Sequence, residues 1–85
     1  MLINEGFYVV AWCPFCDQGW VVIAKDKNTK ELFLFCIECE LEWDNPEDIK
    51  REDCGTSDKY GQVEYPTFEE IFSKSWDKFI LEDYP

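Results

Sequence analysis

The sequence predicts a small α+β fold in which three to four short antiparallel strands pack against a C-terminal amphipathic helix. Three observations predict it: two closely spaced cysteine pairs, runs of β-branched and aromatic residues around those pairs, and a helical apolar stripe late in the chain. With 85 residues, 46% of them hydrophobic, the chain is sufficient for one domain over residues 1–85. A core of that size is small, so we expect a stabiliser beyond apolar packing.

Four of the five cysteines form two pairs with the same internal spacing. Two residues separate Cys13 from Cys16 and Cys36 from Cys39, and nineteen residues separate the two pairs. Two residues between cysteines let a tight turn aim both sulfurs at one ion, and nineteen suffice for a β-hairpin that returns the chain to the same end. The spacing therefore predicts a zinc ribbon over residues 7–44 that holds one structural Zn²⁺.

Other uses of these cysteines are disfavoured, with one exception. Residues 1–6 carry no Lys or Arg and the apolar run 7–12 is too short for a signal peptide or a membrane span, so we expect a cytoplasmic protein with reduced thiols rather than disulfides. A redox pair usually stands alone beside a βαβ pattern. Iron in a rubredoxin-like site uses the same four ligands and stays open. Cys54, in a polar stretch, is expected to be a free thiol outside the site.

The strands are predicted from β-branched and aromatic runs. These runs cover residues 7–12, 20–25 and 31–36, with a short further strand at 40–43. A polar turn at 27–30 joins the second strand to the third. Gly19 follows the first cysteine turn, where a positive φ is often required. Because the hairpin is almost continuously apolar, we expect both of its faces to be partly covered.

A short helix is expected over residues 45–51. Asn45 is a favourable N-cap, Pro46 suits the first helical position, and two acidic residues follow in the first turn. Residues 52–66, with two glycines and no apolar periodicity, are expected to form a loop.

The C-terminal helix is predicted over residues 67–82. Pro66 breaks the chain, and Thr67 and Glu70 have the spacing of a capping box. Six apolar residues then recur at steps of three and four, which places them on one helix face that would pack on the hairpin. They are Phe68, Ile71, Phe72, Trp76, Phe79 and Ile80.

Charge and composition exclude several functions. Eight Lys and Arg against nineteen Asp and Glu give a net charge of −11, which disfavours direct binding of nucleic acid or of an anionic membrane. The chain has no histidine, so imidazole catalysis and imidazole zinc ligands are excluded. A four-cysteine site also leaves no open coordination position for a reacting water. We therefore expect a protein that is not an enzyme.

The acidic residues are concentrated after the second cysteine pair. Residues 31–58 carry ten acids and two bases. Glu40, Glu42 and Asp44 alternate with Leu41 and Trp43, so a strand here would place three carboxylates on one face. Solubility alone explains such a face, and so does a protein partner with a basic surface. The candidate partner-binding residues are Glu40, Glu42, Asp44, Glu47, Asp48, Glu52 and Asp53.

Part of the chain resembles a known group of proteins. Residues 12–20 (WCPFCDQGW), 35–40 (FCIECE) and 45–49 (NPEDI), with Trp43 before the last of these, are similar to small bacterial zinc-ribbon proteins. Some proteins of this general type act as immunity proteins beside contact-dependent or polymorphic toxins. The resemblance covers residues 12–49 and implies the same fold and the same kind of function.

The leading hypothesis is an acidic zinc-ribbon binding protein, an immunity protein that neutralises a basic, nuclease-type toxin by binding it. The physical basis is that a row of carboxylates fills a site built for phosphates and speeds association. The alternative is a zinc-ribbon interaction module of a transcription or translation complex. A rubredoxin-like electron carrier is the third hypothesis, and iron in place of zinc would distinguish it.

Overall fold

One antiparallel sheet dominates the fold. The computed structural model describes residues 8–50, 55 and 62–81. Within these residues the strands are β1 (Val9–Trp12), β2 (Trp20–Asp26), β3 (Leu32–Cys36), β4 (Glu42–Trp43) and β5 (Val63–Glu64). The sheet order is β1-β2-β3-β4, and β5 pairs with the far end of β2 beyond β1. The sheet thus agrees with the predicted ribbon, and β5 is an addition inside the segment expected to be a loop.

The strand connections lie at two opposite ends of the sheet. Residues 13–19 join β1 to β2 and residues 37–41 join β3 to β4, and both connections carry cysteines, so we call this the cysteine end. The turn after Asp26 joins β2 to β3 at the other end, which we call the turn end. Val21 pairs with Cys36 and Lys25 with Leu32, so the β2–β3 hairpin spans the whole distance between the two ends.

Both faces of the sheet are buried, as the apolar strands predicted. One face carries the main core, in which Val21, Ile23 and Leu34 pack with Trp43. The buried residues Ile49, Ile71 and Trp76 close that core from the helical segments. On the opposite face Val9, Val22, Ala24 and Phe33 are each at most 1% exposed, and Phe35 is half-buried. Little of the sheet is therefore left to water.

The helical segments are shorter than predicted. Residues 46–50 form a 3-10 helix (Pro46–Lys50), close to the expected helix over 45–51. Helix α1 covers only Phe68–Ser73, with the predicted capping box: Glu70 N donates to Thr67 Oγ1 (3.2 Å) and Thr67 N to Glu70 Oε1 (2.9 Å). A second 3-10 helix (Asp77–Phe79) follows. The prediction of one helix over 67–82 is therefore wrong in length.

The helix ends early because of its C-terminal hydrogen bonds. Ser75 is left-handed (φ 64°), and its N–H donates to Phe72 O (2.9 Å) while Trp76 N–H donates to Ile71 O (3.1 Å). This is a Schellman motif with serine in the glycine position, and burial of Trp76 with Ile71 supplies its apolar contact. The predicted stripe splits accordingly: Ile71 and Trp76 are buried, whereas Phe68 and Phe72 are exposed.

No helix in the described parts of the chain has the length and apolarity needed to cross a bilayer.

Candidate metal centre

Each cysteine pair lies in a tight turn with a left-handed residue after its second cysteine. In the first turn Asp17 (φ 54°) donates its N–H to Cys13 O (3.2 Å). In the second, Glu40 (φ 65°) donates its N–H to Cys36 O (3.0 Å). The two turns therefore have the same hydrogen bond and the same left-handed position, although their sequences share little beyond the cysteines.

The backbone also fixes where each turn begins. Cys13 N donates to Gly19 O and Cys36 N to Leu41 O, both at 2.9 Å, so each first cysteine is held at the end of its strand. Because both turns lie at the same end of neighbouring hairpins, the four side chains converge. A C-x2-C motif alone predicts each turn; the pairing of β2 with β3 brings the two turns together.

Gly19 has a different role from the one expected. Its φ is outside the left-handed range, which Asp17 and Glu40 occupy instead. A Cβ at Gly19 would lie 2.5 Å from Cγ, 2.7 Å from Cβ and 3.1 Å from the backbone N of Glu38. Glycine is therefore required for close approach of the two cysteine turns rather than for backbone conformation.

The four predicted cysteines form one cluster with the dimensions of a tetrathiolate site. All four Sγ atoms lie within 4.8 Å of one another. Across the turns, Cys13 Sγ is 3.7 Å from Cys39 Sγ and Cys16 Sγ is 3.7 Å from Cys36 Sγ. A tetrahedral ion with metal–sulfur bonds of about 2.3 Å places its sulfurs about 3.8 Å apart. The cluster thus fits one tetrahedral metal ion; it fits iron as well as zinc, because both take this ligand set.

Burial opposes ionisation of Cys16, Cys36 and Cys39 in the absence of a cation. It raises the pKa of Cys36 to about 12, although the N–H groups of Cys39 and Glu38 favour the thiolate. It also raises the pKa of Cys39. At Cys16 burial acts in the same direction but is outweighed by the Gln18 N–H and the neighbouring thiols, so the pKa falls to about 7. Four adjacent thiolates therefore need a bound cation.

Aromatic side chains surround the cysteine end. Trp12 packs edge-on against Trp20 with ring centroids 4.8 Å apart, and its Nε1 donates to Asp17 Oδ1 (2.6 Å). Phe15 stacks on the fully buried Trp43 at 6.1 Å. The first cysteine turn is thus fixed on both sides by ring contacts, while Trp12 and Phe15 themselves stay 43% and 40% exposed.

Of the candidate partner-binding residues, those that the structure describes do not form one continuous face. Glu42 is only 4% exposed, so the expectation of a solvated carboxylate there is wrong. Glu40 is exposed, but it lies in the second cysteine turn with a left-handed backbone conformation. It is therefore outside the strand, and strand alternation does not place it on the same face as Glu42. Asp44 is exposed and lines a depression at the turn end together with Asp26 and Thr29.

The remaining candidates are placed differently again. Glu47 is exposed and Asp48 is half-buried, both on the 3-10 helix Pro46–Lys50. Glu52, Asp53 and Cys54 lie outside the described residues. Two exposed carboxylates at the cysteine end, Asp17 and Glu38, were not among the candidates. Their adjacency to the cysteines was the available signal, because a residue inside or just after a C-x2-C turn is carried to the metal centre with it.

Comparison with known proteins gives a viral relative. No protein-family profile matches the chain, and no solved structure matches it significantly. The chain is 30% identical over 86 aligned positions to the uncharacterized protein L48 of Acanthamoeba polyphaga mimivirus, an alignment that covers 80% of this chain and 72% of the viral protein. Neither a bacterial origin nor the expected likeness to immunity proteins is supported by this relative. The chain belongs to the same family as the uncharacterized mimivirus protein L48.

Proposed function

We propose that the chain is a zinc-dependent protein-interaction module whose cysteine end binds a basic protein surface. The metal is one structural Zn²⁺ held by Cys13, Cys16, Cys36 and Cys39. Four thiolates fill the tetrahedral shell, so the ion would organise the fold and activate no water. The proposal includes a reducing, cytoplasmic setting, because oxidised cysteines cannot serve as ligands.

The observation that carries the proposal is the charge around the four cysteines. Asp17, Glu38 and Glu40 are exposed and each adjoins a cysteine of the cluster. The two connections that form this end, residues 13–19 and 37–41, contain no Lys or Arg. A zinc ion with four thiolates is itself a dianion, so metal binding would leave the region negative. Such a field favours fast association with a basic partner.

The turn end shows the opposite arrangement. Lys25 Nζ lies 2.8 Å from Glu70 Oε2 and 3.5 Å from Glu64 Oε2, and Lys30 Nζ lies 3.3 Å from Glu64 Oε2. Two of the three lysines near the β2–β3 turn, Lys25 and Lys30, are therefore engaged by acids of β5 and α1. An incoming basic surface would be attracted to the cysteine end, whose two connections contribute acids and no Lys or Arg.

Two kinds of basic protein would fit this proposal. A nuclease-type toxin presents a basic, phosphate-binding site that carboxylates can fill, which is the immunity-protein hypothesis. A component of a transcription or translation complex presents a basic surface for the same reason, because it handles nucleic acid. Both kinds use the same surface and the same structural metal, so one experiment addresses their common basis.

The test is a comparison of charge-reversed baits. Glu38→Lys with Glu40→Lys reverses the cysteine end, and Glu31→Lys with Glu69→Lys is the matched control at exposed acids elsewhere. Quantitative capture from the native host cell, with zinc content and melting checked for every bait, should recover a basic protein with the wild type and the control. Its yield should fall at least roughly tenfold with the cysteine-end variant and with added salt. Equal recovery by all three baits would refute the proposal.

A further inference from the structure

An apolar groove lies beside the first cysteine turn. It has a volume of about 520 Å³ and runs between β1 and the 3-10 helix Pro46–Lys50. Val10 and Ile49, both members of the buried core, form its floor together with Phe79. Trp12 and Pro14 form the wall toward the cysteines. Its volume is within the range of about 300–1,000 Å³ typical of ligand pockets.

The wall of this groove is aromatic, exposed and held in place. Trp12 is 43% exposed even though its ring packs against Trp20 and its N–H is bonded to Asp17. Those contacts fix the indole before any partner arrives, so little conformational entropy is lost on binding. Tryptophan is one of the three residue types, with tyrosine and arginine, that are enriched among the residues that dominate protein–protein affinity.

The edge of β1 adds a backbone feature to the same place. Among the described strands β1 pairs only with β2. On the outer side of β1, Leu81 N donates to Val9 O (2.8 Å). The first outward-facing carbonyl of the strand is therefore already hydrogen-bonded. An extra residue at Val10 then interrupts the regular register, and Val10, Ala11 and Trp12 line the groove. The groove therefore begins where the local pairing of the strand edge stops.

The carboxylates beside Trp12 favour a basic occupant. The described lining includes one charged residue, the exposed Glu47, and no Lys or Arg; a described cation close to it is Lys78, whose Nζ lies 5.4 Å from the ring centroid of Phe79. Asp17 adds a second carboxylate at the Trp12 indole. We infer that the groove docks a protein segment in which one large apolar side chain, flanked by Lys or Arg, inserts between Trp12 and Ile49. This inference rests on the proposed function. It adds an apolar contact in the groove to the charge attraction at the cysteine end.

The experiment selects twelve-residue peptides from a randomised library displayed on phage, with the zinc-loaded full chain as bait. The expected consensus is one apolar residue flanked by Lys or Arg. Peptides made from it should lose affinity at least roughly tenfold for Glu47→Lys, since the reversed charge opposes theirs. Glu69→Lys on α1, the matched control, should bind within about twofold of wild type. Trp12→Ala tests the wall, with zinc content and melting as checks of its fold.

The outcomes separate the inference from the proposed function. If Glu38→Lys with Glu40→Lys weakens the selected peptides but Glu47→Lys does not, the groove is wrong while the interaction module stands. If no basic consensus emerges, or if neither charge change affects binding, the inference about the groove is wrong, and the bait comparison alone decides the proposed function. A consensus whose binding depends on the exposed Phe72 of α1 and not on Glu47 would also overturn the inference.

Discussion

The two ends of the sheet are closed by different chemistry. At the turn end, Asp26 Oδ1 accepts hydrogen bonds from Asn28 N (2.8 Å) and Thr29 N (3.2 Å), and Lys30 N donates to Asp26 O (2.8 Å). Those contacts come from residues within a few positions of each other. At the cysteine end, Cys13 and Cys36 are brought together from distant parts of the chain, and burial raises the pKa of Cys36.

The two ends of the sheet therefore contribute different amounts to the stability of the fold. A net hydrogen bond contributes about 1 kcal/mol and an exposed ion pair less than about 1 kcal/mol. A structural zinc ion contributes roughly 10–16 kcal/mol of apparent binding free energy at neutral pH. The turn end is therefore expected to form locally, whereas the cysteine end depends on its ion.

The largest expected effect is loss of the metal. Chelation, or Cys36→Ser at a buried ligand, should abolish the cooperative melting transition of the sheet, because the small core lacks the free energy to replace zinc. Circular dichroism and zinc analysis of the same samples measure it. Cys54→Ser is the control and should keep its metal. If the chelated protein kept an unchanged melting curve, the apolar core would be sufficient to stabilise the fold without zinc.

The next effect contrasts the two rings stacked at the cysteine end. Trp43 is fully buried and Phe15 is 40% exposed. Trp43→Ala should destabilise the zinc-loaded protein by about 3–5 kcal/mol through the cavity it leaves. Phe15→Ala should cost about 1 kcal/mol, because less of the ring leaves an apolar environment. Urea unfolding gives both values, and equal costs would contradict the assignment of Trp43 to the core.

A smaller effect concerns two glycines near the cysteine end. Gly19→Ala should cost about 1–3 kcal/mol and weaken metal retention, because the new Cβ collides with Glu38, including its backbone. Gly55→Ala should be close to neutral, since its Cβ would meet Trp43 and Leu41 at 3.4–3.6 Å, an ordinary contact distance. Melting curves of both variants with bound zinc compare them. A neutral Gly19→Ala would mean that the two turns do not approach each other closely.

The smallest effect is at the turn end. The Lys25 ammonium, and then the Thr67 N–H, lower the pKa of Glu70, and Glu70 raises the pKa of Lys25. The pair thus stabilises the fold between the two transitions: its contribution is lost as pH falls through the lowered pKa of Glu70 or rises through the raised pKa of Lys25. Acid also releases the metal, so the alkaline side is the useful one.

Glu70→Gln preserves the capping box and removes the charge. Its melting temperature should be slightly below that of wild type at neutral pH, and the gap should close only above the unfolded pKa of lysine, about 10.4. Glu69→Gln, an exposed neighbour outside the ion pairs described, should show no such pH-dependent gap. If the difference in melting temperature between wild type and Glu70→Gln stays constant to the highest pH, the Lys25–Glu70 ion pair is not its cause.

Much of this arrangement was predictable from local sequence. Strands and cysteine turns follow from residue types that act within a few positions, and the Thr67–Glu70 cap is equally local. The early end of α1 was not, because serine at position 75 gives no glycine signal and only burial of Trp76 with Ile71 favours that ending. The groove also escaped prediction, since Val10, Ile49 and Phe79 meet only in three dimensions.

The acidic face shows how an alternation rule fails. Glu40, Glu42 and Asp44 have strand spacing, but only Glu42 and Trp43 are in β4. Glu40 takes the left-handed position after Cys39, which the C-x2-C geometry imposes on whichever residue follows. The metal turn therefore overrides the strand pattern beside it. For a sequence of this kind, the residues inside and just after each cysteine pair are better candidates for the exposed charge.

The most direct test of the central claim is X-ray absorption at the zinc edge of the purified protein. We expect about one zinc per chain surrounded by four sulfur scatterers at about 2.3 Å, with no nitrogen or oxygen in the shell. Stoichiometric iron, a shell containing nitrogen or oxygen, or no bound metal would contradict the assignment of a closed structural zinc site to Cys13, Cys16, Cys36 and Cys39.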